Sequence, residues 1–350
     1  MPKSEPSSVK EFRADNHYVP GLYLKRWAGS DGRVCTYRLL VSHANVPEWR
    51  PKTIKGLAYH RHLYTRVLAA GETDEIERWL DQEFESPAEA AISKVVSDAR
   101  MQHGDWSCLA RFLAAQDVRT PARLMEMFKR WEKDVPALLQ SSLEGAVREL
   151  AEAKRNGTTP VVRHNADAGY FPARVTKEIQ PGAQTGVLKV ESVVGRGLYL
   201  FALRRLLTET ARVLEQHRWT ILRPPAGTEW MTSDDPVIKL NYYGDSYDFK
   251  GGWGSKGTEL LLPLSPDHLL YTKIGERPPE RGSRLPAAKA TEMQRMIVEH
   301  AHRLVFSAHP EPNVSTIRPR RVDAGLLQSE ADQWSRWHDE QGNAERALLK

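Results

Sequence analysis

The sequence predicts an α+β fold, a helical N-terminal half packed on a mainly antiparallel C-terminal sheet, and three observations predict it. Apolar residues recur at helical spacing from Asp74 to Ala153. Short apolar or alternating runs replace them from Arg218 to Ser307, and no repeat of solenoid period interrupts the order. The 350 residues are long for one core. They are expected to divide into a disordered arm (1–14), a single main domain (15–308, helical part 74–155, strand-rich part 218–308) and a C-terminal tail (309–350).

Composition narrows the function classes. Hydrophobic residues make up 40% and charged residues 27%, which is ordinary globular content and excludes a disordered chain. The opening MPKSEPSSVKEF has no apolar stretch of signal-peptide length, and no run reaches membrane-span length. Cytoplasmic location and no membrane partner are therefore the expectation. Cys35 and Cys108 lack CxxC spacing, which argues against a disulfide framework or a thiolate zinc site. A net charge of +5 permits nucleic acid as a partner but supports it weakly, because 50 basic residues face 45 acidic ones. The charges are uneven: Glu72–Glu89 carries eight acids and one arginine, and reads as a solvated helix face.

Taken in order, Asp15–Trp27 is the first ordered segment, broken at Pro20-Gly21 before a helical turn, with His17 on an approach loop. Arg33–Leu40 alternates as a strand, and Trp49–Tyr64 reads as irregular. Asp74 is an N-cap candidate for a helix carrying Ile76, Leu80 and Phe84, and Ser86-Pro87-Ala88-Glu89 restarts it as a capping box. A helix over Trp106–Val118 buries Leu109, Phe112 and Leu113, a stripe that continues onto Gln116 and Arg119. Helices over Leu124–Trp131 and Val135–Ala153 end at Asn156-Gly157. Residues 156–197 read as a linker with one hairpin, and Leu198–Glu215 as a helix. Strands follow at Arg218–Leu222, Glu229–Thr232, Val237–Leu240, Thr258–Leu264 and Leu269–Ile274, then a helix Ala287–His302 and a strand Leu304–Ser307. The polar end reads as a loosely held tail or a docking helix through Trp334 and Trp337.

The stretch Trp230–Leu240, WMTSDDPVIKL, draws the rest together. Pro236 disfavours helix at Asp235, so Ser233, Asp234 and Asp235 sit on a tight extended corner at a strand end. That corner and five other blocks, HYVPGLYLKRWA from His17, IERWLDQEFE from Ile76, FLAAQDVRTP from Phe112, LLPLSP from Leu261 and MIVEHAHRLVFS from Met296, together resemble domain-of-unknown-function family 4238. The likeness spans roughly residues 15–308 and implies no activity. It implies that His17, Gln116, Arg119, Ser233 and Asp234 occupy the family's motif positions. Asp235 stands where the family commonly has Asn, a departure that alters the charge of the site, and Gln294 stands where an Asn is usual.

If these residues converge, the chemistry is legible. Asp234 is a general base or metal ligand, His17 an acid/base, Arg119 a stabiliser of developing negative charge and Gln116 an orienting group. Asp235 would join Asp234 on a divalent metal. The competing reading is a structural network, since buried Gln, Arg and Asp need partners in any fold. A nuclease version lacks the expected acid-spacer-Lys on the strand Thr258–Leu264, where Glu259 is followed by two leucines, although Lys239 lies nearer. His60/His62 and His300/His302 read as surface histidines, Gly251–Thr258 as a long hairpin loop, and Arg204, Arg205, Arg212 and Arg218 as a solvated face. Two functions stay open: a metal-assisted hydrolase of a phosphodiester or other anionic substrate, and a non-catalytic module that binds a ligand or partner in a polar cleft.

Overall fold

The computed structural model describes residues 11–159, 168–179, 181–182, 186–244 and 246–349. Helices and strands alternate along the whole of it, so the predicted division into a helical half and a C-terminal sheet is corrected. A five-stranded antiparallel sheet runs in the order Thr220–Leu222, His268–Lys273, Glu259–Ser265, Ile238–Tyr243, Ser246–Asp248. A four-stranded antiparallel sheet runs Thr232–Ser233, Leu304–Ser307, Arg33–Arg38, Trp49–Thr53, and the rest are two-stranded pairs. The second sheet joins the two ends of the family-like region. Its outer strand, WRPKT, escaped the sequence reading because it is polar and contains Pro51, features that belong on a sheet edge.

Side-chain alternation gives this sheet two different faces. Tyr37 and Val305 point into an apolar cluster with Trp230, Met296 and Ile297. Thr36, Arg38, Arg50, Lys52 and Leu304 point the other way, toward a cavity. A larger apolar cluster, built on Trp27, Phe112, Leu113 and Tyr199, joins the helices to the five-stranded sheet through Leu260 and Leu262.

Helix boundaries moved where local chemistry is shared across a turn. Glu75–Leu80 passes through a π turn at Asp81–Glu85 straight into Ser86–Val96, so Ser86 donates to the Asp81 carboxylate and does not cap a new helix. Pro121–Arg155 is one helix through Pro136, where two were expected. Thr120 caps it, accepting from the amide of Arg123. His103–Val118 starts in a capping box made by Gln102 and Asp105. At its other end the carbonyls of Val118 and Arg119 accept from the hydroxyls of Tyr199 and Tyr64.

The chain ends are tied down more than expected. Residues 1–10 of the predicted arm lie outside the described residues, but the amide of Arg13 donates to Asp74 and Ala14 accepts from the amide of His62. The loosely held tail is corrected to a helix, Ala324–Leu349, docked by Trp337 and by a Trp334 ring stacked 3.6 Å from His60. Arg196, fully buried, pairs with Glu345 at 2.6 Å and donates to the His62 carbonyl. Among the described residues no helix is long and apolar enough to cross a membrane.

Breaking a buried pair strands a charge. Glu345→Ala is expected to destabilise the fold by about 3–5 kcal/mol in urea titrations, and the double change Arg196→Met with Glu345→Leu by much less.

Candidate functional site

The corner is cross-tied to four of the five blocks that accompany it, all but Ile76–Glu85. Trp27 Nε1 donates to the Trp230 carbonyl at 2.7 Å, and the hydroxyls of Tyr23 and Thr232 lie 2.6 Å apart. Gln294 accepts from the Met231 amide and donates to the Glu229 carbonyl, so its longer amide spans the strand that leads in. Thr232 and Ser233 then pair with Phe306 and Val305. Asp234 closes the arrangement: its carboxylate accepts from the amides of His302 and Arg303, each at 2.9 Å, while its own amide donates to the Leu304 carbonyl. Burial pushes the Asp234 pKa up to about 7 against those amide donors, and the charge of Asp235 adds to the rise. Asp235 accepts from the Thr120 hydroxyl at 3.0 Å, at the N-terminus of Pro121–Arg155, and its carbonyl accepts from His300 Nδ1.

Asp234 lines a cavity of about 570 Å³. One wall is the sheet face of Thr36, Arg38, Arg50, Lys52 and Leu304. The opposite walls come from Tyr18, the strand at Tyr59–His60, the start of the long helix at Leu124, Met125 and Phe128, and the C-terminal helix through Glu330, Trp334 and Trp337. Arg303 is paired with Glu330. Arg38, Arg50 and Lys52 have no hydrogen bond or ion pair among the described residues, and Glu48 is the other unpaired charge on that side. Tyr18, His60 and Trp334 form a stack of rings, with 5.4 Å between the first two centroids. Burial pushes His60 and His302 down to about 4, so both rings are neutral near pH 7.

The other expected site residues form a second neighbourhood. Arg119, with no solvent exposure, donates through Nε to the Tyr18 carbonyl at 2.9 Å, through Nη2 to the His17 carbonyl at 3.0 Å and through Nη1 to Glu85 at 2.6 Å. Its guanidinium therefore holds the backbone that presents Tyr18. Glu85 and half-buried Glu77, whose pKa burial raises to about 8, correct the reading of the acidic helix as wholly solvated. The His17 ring packs against Tyr59 and is held below the usual histidine range by burial and then by Arg119. It is its neighbour Tyr18 that lines the cavity. Gln116 is fully buried, and its amide has no partner among the described residues.

Asp117, which the sequence reading passed over, is the hub of a buried charge cluster. It accepts from Lys239 at 2.6 Å and from Trp253 Nε1 at 2.7 Å, and Arg123 lies 3.0 Å away. The glycine-rich loop brings Trp253 there, since a Cβ at Gly251 would meet Thr258 at 2.6 Å. A cavity of about 490 Å³ adjoins this cluster.

Metal-ligand spacing occurs elsewhere than at the aspartates: among the described residues, His62, Glu72 and His338 bring one ligand atom each within 4.8 Å of the others. The left-handed φ of 56° at His62 turns its ring away from His60, which explains why the i,i+2 pair splits. Arg196 donates to Nδ1 of His338, leaving the ring hydrogen on Nε2 facing Glu72. The His62 and His338 rings also lie face to face at 3.7 Å, so both would have to turn before one ion met their in-plane lone pairs. The cluster ties the C-terminal helix to the body.

Residues 15–311 match the family profile described as "Protein of unknown function (DUF4238)". The chain belongs to this family. No curated protein and no solved structure matches the chain. In this DUF4238 protein the family span supplies Asp234, Tyr18, His302 and the three free cations, whereas Glu330, Trp334 and Trp337 lie beyond residue 311 and complete the cavity from the C-terminal helix. Arg38, Arg50 and Lys52 had a sequence signal, since they share strand parity with Thr36 once WRPKT is paired. Tyr18 had none beyond its place in the first block.

Two measurements follow from this geometry in the DUF4238 chain. Arg119→Lys keeps the charge but loses at least two of three directed hydrogen bonds, and is expected to lower stability by about 2–4 kcal/mol in chemical denaturation. Stability should also have two opposed pH limbs. His60 and His302 bind protons at 6.5 when unfolded but only near 4 when folded, so stability falls as pH falls through that window. Asp234 holds a proton to about 7 when folded but loses it at 3.8 when unfolded, so its term is lost as pH rises from about 4 to 7. Urea midpoints across pH 4–8 check both: His302→Asn should flatten the acid limb, and Asp234→Asn the other.

Proposed function

We propose that the cavity beneath Asp234 is the binding site for a small organic anion. The observation that carries this is the row of Arg38, Arg50 and Lys52, three cations with no hydrogen bond or ion pair among the described residues, which share one sheet face and line a cavity of about 570 Å³. The more deeply buried cations Arg119 and Arg123 are, by contrast, paired with Glu85 and Asp117. Unpaired cations at the rim of a concave, part-apolar site raise the local concentration of anions and give them charge-assisted hydrogen bonds. Asp234 and Arg119 then act as positioning residues: Asp234 fixes the turn that carries His302 and Arg303, and Arg119 fixes the segment that carries Tyr18.

A second reading, hydrolysis of the bound anion, is favoured by one feature. Asp234, with a pKa of about 7, lines the cavity and is matched to proton transfer near neutrality, while the neutral ring of His302 beside it can orient a bound group by hydrogen bonding. The metal-assisted form of it, with Asp234 and Asp235 as ligands, has less support, because Asp234 already serves two amides and Asp235 serves Thr120. His17, Arg119 and Gln116 have no atom on the cavity wall and would act through others.

Calorimetric titration with inorganic pyrophosphate at low salt tests the first reading. Binding is expected, weakening about tenfold or more in the Arg38→Glu, Arg50→Glu double variant and on raising the salt concentration. Absence of binding in the wild type would sink it. Turnover of a chromogenic phosphodiester, with and without magnesium or manganese, tests the second: activity lost about 100-fold in Asp234→Asn supports hydrolysis, and no turnover in the wild type removes it.

A further inference from the structure

We propose that the anion held in this cavity is a nucleoside monophosphate, with its base read by Tyr18 and His302 and its phosphate held by Arg38, Arg50 and Lys52. This rests on the anion-binding reading above and adds the nature of the ligand's uncharged end. Tyr18 is only 6% exposed and lines the cavity, yet its hydroxyl has no hydrogen-bond partner among the described residues. The His302 ring lines the same wall, also with no hydrogen bond to its ring nitrogens among the described residues. Both side chains belong to the cavity lining, so each is free to hydrogen-bond a ligand that enters it.

The chemistry of that end selects the ligand. It offers a phenolic O–H and a neutral imidazole with one donor and one acceptor. These are directional groups with little net charge, which match the alternating donors and acceptors on the edge of a nucleobase. An acyl chain would leave all of them unsatisfied. The Tyr18, His60 and Trp334 rings, stacked on one another, all line the cavity, and their edges offer an aromatic ligand edge-to-face contacts. The cavity, about 570 Å³, is far larger than a bare phosphate requires and falls within the range of about 300–1,000 Å³ common for small-ligand sites.

Calorimetry on the full chain with AMP, GMP, CMP, UMP, ribose 5-phosphate, octyl phosphate and pyrophosphate tests this. At least one nucleotide is expected to bind about tenfold or more tighter than ribose 5-phosphate. Tyr18→Phe should remove most of that difference while leaving ribose 5-phosphate unchanged, and Arg38→Glu should weaken both. His302→Asn provides the same readout if the Tyr18 variant does not fold. Nucleotides that bind no tighter than ribose 5-phosphate, octyl phosphate binding tightest, or a nucleotide preference untouched by both Tyr18→Phe and His302→Asn would overturn the base subsite and leave the anion reading standing. Failure of every probe, pyrophosphate included, would overturn both.

Discussion

The carboxylate of Asp234 is the constraint on which the rest of the site depends. It is almost wholly buried and accepts from two successive backbone amides, His302 and Arg303, between the helix Ala287–His300 and the strand Leu304–Ser307. A side chain that satisfies backbone donors at a helix-to-strand turn fixes where the strand begins. That strand then pairs with Arg33–Arg38, which pairs with Trp49–Thr53, so the same carboxylate sets the register that aligns Arg38 and Arg50 on one face. Burial raises its pKa because the charge is removed from water, and the amides offset part of that rise. The group is therefore a structural clasp whose hold on a proton is raised toward neutrality by its burial.

Charge pairing separates scaffold from site. Arg119 and Arg196 are fully buried and directed by carboxylates and carbonyls, so their geometry is fixed by the fold. Arg196 secures the C-terminal helix, and that helix closes the cavity with Trp334. The cations on the cavity sheet have the opposite character, exposed and with no hydrogen bond or ion pair among the described residues, which is what the proposed anion site draws on. The Asp117 cluster lies on another face of the long helix's N-terminal turns, with Lys239 and Arg123 both paired to its carboxylate and Arg123 also to Glu126.

Legibility in the sequence followed the strength of local pattern. Leu304–Ser307 was read with its observed ends, and the hairpin between Ala173 and Ser192 fell within the stretch expected to hold one, because alternation and turn residues decide such elements locally. WRPKT was not read, since an edge strand facing a cavity has no apolar alternation to display. The Trp230–Asp235 corner was found from Pro236 and the flanking strands, and its partners were not, because amide donors at His302 and Arg303 leave no mark on residue type. The helix stripe led correctly to Gln116 and Arg119 as inward-facing, but not to what Arg119 holds: two carbonyl partners at residues 17 and 18 lie about a hundred positions away. The C-terminal helix looked like a tail because its few apolar residues, Trp334 and Trp337 among them, are spent on one narrow contact with the body.

The most direct measurement is the place where an anion settles. In a crystal structure of the protein soaked in pyrophosphate, the account predicts phosphate density inside the cavity, within hydrogen-bond distance of Arg38, Arg50 and Lys52. Density at Arg123 and Lys239 beside the glycine-rich loop, or on the outer surface alone with the Asp234 cavity occupied by water, would contradict it.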